Sequence, residues 1–199
     1  MKTSSPSPST PKSLWPWAGF ALAVLPLLGA GCAGTFHEVN VLSPGVVPAQ
    51  HPTVLVLDPV RVTDTTLSAS DQQIYRLKFQ DGVQAWFSKT NVFQSVVLAS
   101  TNVIPNSLTL SGTLTEVNKG SEAARLLVGM GAGQERIRGE FTLKDATGQS
   151  LIHFNERKSY LGGLGIGGAD FLSLDELTFR YGEEVAGNIA KWMHGQKLE

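Results

Sequence analysis

The sequence predicts an α+β fold, a two-layer sandwich of about five mostly antiparallel strands with two helices on one face. Two stretches, near 107–115 and 137–154, alternate apolar and polar residues with the period of a half-buried strand. Two others repeat apolar residues every three or four positions, each opened by a serine cap, as amphipathic helices do. Their order along the chain is strand, helix, strand, strand, hairpin, helix. One domain, 53–195, is expected to hold all of them, followed by a short tail at 196–199.

Thr53 to Leu57 is an apolar, β-branched run stopped by Asp58 and Pro59, and it reads as a buried strand followed by a turn. Ser70-Asp71-Gln72-Gln73 has the form of a capping box, so a helix is expected from there to Asn91 with Tyr75, Phe79, Val83 and Trp86 on its buried face and Phe87 beside them. Phe93 to Leu98 is a second apolar strand. Leu108, Leu110, Gly112 and Leu114 then alternate with Thr109, Ser111, Thr113 and Thr115, which buries one face of the next strand. Ile137, Gly139, Phe141 and Leu143 repeat the pattern, and Asp145-Ala146-Thr147-Gly148 supplies a turn before Leu151 to Phe154, making a hairpin. Ser173-Leu174-Asp175-Glu176 caps the last helix, whose Leu174, Leu177, Tyr181, Val185, Ile189 and Trp192 mark a face suited to covering the sheet.

The amino terminus is of a different kind. Lys2 and Lys12 flank a Ser/Pro/Thr-rich start, Leu14 to Leu28 is apolar but broken by Pro16, Gly19 and Pro26, and Gly29-Ala30-Gly31 leads to Cys32. Charge, apolar core and small residues in that order form an export signal, and the run is short for the roughly 20 apolar residues of a permanent span. Leu27-Leu28-Gly29-Ala30-Gly31-Cys32 resembles a bacterial lipobox, departing from it at Gly29, where a branched aliphatic residue is usual. The resemblance implies removal of 1–31, a diacylglycerol on the Cys32 thiol and, with Ala33 following, an outer-membrane anchor facing the periplasm. An inner-membrane anchor or plain secretion are the alternatives. Residues 32–52, with three prolines and no steady periodicity, read as a tether.

Composition narrows the function. The formal charge of -1 becomes -3 once Lys2 and Lys12 are removed, which is no footprint for nucleic acid. With one cysteine there is no internal disulfide and no multi-cysteine metal site. His37, His51, His153 and His194 lie apart in sequence, no two at helical ligand spacing, and adjacent Glu183 and Glu184 project about 100° apart on their helix. No catalytic, cofactor-binding or metal site is expected, His153 reads as a satisfied strand residue, and the glutamate pair reads as a solvated face.

Two glycine-rich stretches remain. Leu126 to Gly133 places glycines at every second position at Gly129, Gly131 and Gly133, without the spacing or the following helix that a dinucleotide fingerprint needs. Gly162 to Gly168 separates the last strand from the last helix. Both flank the hairpin, whose open ends lie together, so Gly129, Met130, Gly131, Ala132, Gly133, Leu164 and Ile166 are expected at one end of the domain as a contact surface for a protein partner or another copy.

Gly112-Thr113-Leu114-Thr115, Gly120, Arg125 to Gly133, the turn at Asp145 to Gly148 and the glycine-rich loop before the final helix resemble one bacterial family, domain of unknown function forty-four ten, over about Val54 to Trp192. That resemblance implies an exported, often lipidated protein without established chemistry. The functions expected are, in order, a lipid-anchored envelope protein that binds or assembles, an auxiliary lipoprotein of a membrane transport system, and an enzyme.

Overall fold

Among the described residues the fold is α+β, with two helices and an open seven-stranded sheet in the order β1-β7-β6-β5-β2-β4, β3 also pairing with β5. These residues, in a computed structural model, are 35–99, 103–120, 134–160 and 173–198. The chain divides into Met1–Cys32 and Ala33–Glu199, and every described residue belongs to the second unit.

In chain order the elements are β1 (Thr35–Ser43), β2 (Val54–Leu57), β3 (Arg61–Val62), α1 (Ala69–Ser88), β4 (Ser95–Leu98), β5 (Ser107–Asn118), β6 (Glu135–Asp145), β7 (Ser150–Tyr160) and α2 (Leu174–Met193). The expected strands are present, and two were not foreseen. β1 lies inside the segment read as a tether and pairs antiparallel with β7 from Thr35↔Tyr160 onward. β3 is a two-residue continuation of β2 along β5, beyond a break at Asp58 to Val60.

The sheet is also less antiparallel than expected. β5, β6 and β7 form an antiparallel meander that β1 extends antiparallel beside β7, but β2 pairs parallel with both β4 and β5. Helix α1 carries the chain from β2 to β4, and a connection of that length is what a parallel pair requires. The α1 cap is Ser68, two residues before the predicted one; its Oγ accepts the Asp71 N–H at 3.2 Å. The helix ends at Ser88, three residues before Asn91. Ser173 caps α2 as predicted, accepting the Glu176 N–H at 3.3 Å.

Phe79 of α1 and Tyr181 of α2 both meet Phe141 of β6, the first stacked at 5.3 Å between ring centroids and the second tilted at 6.2 Å. Both helices therefore rest on the sheet face that bears Phe141. Along β6 that face is Ile137, Gly139, Phe141 and Leu143, all buried, while Arg138 and Glu140 on the opposite face are exposed. The apolar alternation thus becomes one core shared by α1, α2 and the sheet.

Candidate functional site

β7 carries an apolar core face at one end and a polar one at the other. Ile152 and Phe154 are buried, and at the same period come Glu156, fully buried, and Lys158, almost so. A carboxylate with no solvent access must be paired and hydrogen-bonded, and three elements meet here to do it. β1 places His37 Nε2 2.9 Å from Glu156 Oε1, and α2 places Asn188 Nδ2 as donor to Glu156 Oε2 at 3.0 Å. Tyr181 Oη donates to the Glu156 backbone carbonyl at 2.7 Å.

Two helical turns carry these contacts on α2, since Tyr181, Glu184 and Asn188 follow at spacings of three and four and share a face. Glu184 forms an ion pair with Lys158. Its Oε2 is buried with no hydrogen-bond partner among the described residues. The side chains of His37 and Glu184 are 28% and 32% exposed, so solvent reaches the cluster past these two. Outside them lies an open groove of about 770 Å³ lined by His37, Trp86, Glu183, Glu184, Asn188 and Lys191 among others.

Burial lowers the Lys158 pKa from its usual value, opposed by Glu156 and assisted by Arg180. Burial also raises both tyrosine hydroxyls nearby, Tyr160 and Tyr181, so neither ionises at physiological pH. Lys158 Nζ lies 5.0 Å from the centre of the Tyr160 ring, which adds a cation–π attraction to its ion pair. The arrangement compensates buried charge, and it also brings ligand atoms of His37, Glu156 and Glu184 within 4.8 Å of one another, a set that could hold a metal ion.

The Tyr181 hydroxyl is a clean probe of this packing. Tyr181→Phe keeps the ring and removes one buried hydrogen bond, so a loss of about 1 kcal/mol in urea unfolding is expected. An unchanged midpoint would mean that the hydroxyl makes no net contribution.

The site residues expected from sequence fall elsewhere. Cys32, Gly129, Met130, Gly131, Ala132, Gly133, Leu164 and Ile166 all lie outside the described residues. The strand ends that flank the glycine stretches are described and adjoin, with Asn118 opposite Arg136, and Glu135 opposite Tyr160. His153 does pair within the sheet, 2.7 Å from Glu140 Oε1 on the exposed face. His37 is not isolated, and Glu184 does not belong to a purely solvated face. Of the glutamate pair, Glu183 takes the solvated role, 3.1 Å from Lys89.

The model of one family, Domain of unknown function (DUF4410), matches residues 64–163. The chain belongs to that family. The matched span runs from the loop before α1 through β7, and so includes Glu156 and Lys158 but neither β1 nor α2. No curated protein matches. Among solved structures, the chain is similar to a PelC dodecamer from Paraburkholderia phytofirmans, at 13% identity and a TM-score of 0.47, over 75% of this chain and 94% of that one. A Xanthomonas campestris protein of DUF330 is 10% identical with a TM-score of 0.47, over 78% and 99%. A minor lipoprotein from Acinetobacter baumannii is 10% identical with a TM-score of 0.34, over 68% and 91%. Likenesses this remote carry no functional argument.

Proposed function

We propose that this protein is a lipid-anchored component of the bacterial cell envelope, facing the periplasm from the outer membrane, that binds a partner or assembles with copies of itself rather than catalysing a reaction. The observation that carries this reading is the export-type segment ending at Gly29-Ala30-Gly31-Cys32, three residues before β1 begins at Thr35. So short a spacing leaves about 11 Å of chain between an acylated Cys32 and the sheet. The anchor would hold the domain against the membrane surface with little freedom.

Membership of DUF4410 agrees with this reading and adds no chemistry to it. Thr35 pairs with Tyr160, and Tyr160 with Glu135, so the chain enters the sheet at the same end from which 121–133 and 161–172 depart. That supports a contact surface formed by Gly129 to Gly133 with Leu164 and Ile166.

Cys32→Ser in a host that processes lipoproteins is the decisive experiment. Acyl labelling should disappear and the protein should leave the membrane fraction while the domain stays folded. A variant that stays membrane-bound with residues 1–31 uncleaved would replace the lipoprotein reading with a signal anchor.

A further inference from the structure

We propose that His37, Glu156 and Glu184 form a binding site for a divalent cation of the zinc class, which takes the place of the Lys158 ammonium. The three donors come from β1, β7 and α2, and their ligand atoms all lie within 4.8 Å of one another. Ligands about 2.1 Å from a tetrahedral zinc are separated by roughly 3.4 Å, so small side-chain adjustments bring these three around one ion and leave the fourth position to water. An imidazole with two carboxylates is a donor set that zinc accepts.

Three further features fit a cation better than a closed ion-pair network. Glu184 Oε2 is a buried acceptor with no hydrogen-bond partner among the described residues, which leaves negative charge in the cluster unspent. Two carboxylates, Glu156 and Glu184, meet the single Lys158 ammonium, while Arg180 is paired with Glu176 outside the cluster. Glu156, fully buried, faces His37 with Oε1 and is held from behind through Oε2 by Asn188, as ligating carboxylates are oriented by an outer hydrogen bond. Access runs past the half-exposed His37 and Glu184 from the groove. The long, flexible Lys158 side chain, paired with Glu184, is the group that moves aside.

The test uses the full chain purified in detergent, stripped with a chelator and dialysed against zinc, with bound metal and thermal unfolding both measured. One zinc per chain and a rise in Tm are expected. His37→Ala and Glu184→Gln should each weaken binding at least tenfold, and Lys158→Met should preserve or tighten it, because the competing ammonium is gone. The rival site is His51 with His194, whose ring centroids are 6.5 Å apart. Zinc lost in a His51→Ala, His194→Ala variant but kept in His37→Ala overturns the proposal. So does failure to retain zinc, or a Lys158→Met variant that binds more weakly. Should His37→Ala fail to fold by circular dichroism, the half-exposed Glu184→Gln decides the question.

Discussion

Phe141→Ala is expected to remove about 4 kcal/mol of stability, a large share of what a domain of this size has, and to lower Tm by roughly 10 °C. The ring is fully buried and lies where α1, α2 and the sheet meet, 5.3 Å from Phe79, 5.6 Å from Phe154 and 6.2 Å from Tyr181 between centroids. Its bed is two glycines. A Cβ at Gly112, the residue directly opposite on β5, would sit 2.4 Å from Phe141 Cδ1, and one at Gly139 would sit 2.5 Å from its Cζ. Removing the ring thus leaves a void beside positions that have no side chain to fill it, the circumstance in which the cavity cost is greatest. The same geometry predicts a reversal of sign. Gly112→Ala should destabilise the native protein by pushing the ring, and should be neutral or stabilising in the Phe141→Ala background. A double-mutant cycle by urea unfolding measures the coupling, and simple additivity would mean that the ring is not seated on these glycines.

Local patterns made most of this core legible and hid the polar cluster beside it. β5 and β6 could be read because their buried faces are apolar at every second residue, and the turn because Asp145 Oδ1 accepts the Thr147 and Gln149 N–H groups while Gly148 takes a φ of +85°. β1 could not. Its inward residues include His37, which looks like a loop residue until a buried carboxylate 119 positions away is placed beside it. Glu156 and Lys158 left only a faint trace, two charges continuing the period of Ile152 and Phe154 on what proves to be the buried face. Glu184 was hidden by its neighbour Glu183. Two adjacent helical residues project about 100° apart, so one can meet Lys89 at the surface while the other turns toward Lys158. The parallel pairing of β2 with β4 and β5 had no local signature, because strand direction is fixed by connections and not by side-chain alternation.

Gly82→Ala and Gly182→Ala should each destabilise the protein by about 3 kcal/mol, against the direction that helix propensity dictates. At an unconstrained helix position alanine is preferred to glycine by about 1 kcal/mol. These two positions are where α1 and α2 touch backbone to backbone. A Cβ on Gly82 would lie 2.0 Å from the Phe179 carbonyl oxygen, and one on Gly182 would lie 2.3 Å from the Phe79 carbonyl oxygen. The contact is reciprocal, each glycine seated over the carbonyl three residues before the other glycine. Neither oxygen can rotate away as a side chain would, so a methyl group must push the helices apart by roughly 1.1–1.4 Å or more to reach ordinary contact, loosening the Phe79–Tyr181 packing next to it. Gly187, also on α2, is the control, since its added Cβ would meet the Trp86 ring at an ordinary 3.7 Å. Gly187→Ala is expected to gain about 0.5–1 kcal/mol. Urea unfolding followed by circular dichroism reads all three. If Gly82→Ala and Gly182→Ala shift the midpoint upward as Gly187→Ala does, the two helices do not cross at these glycines.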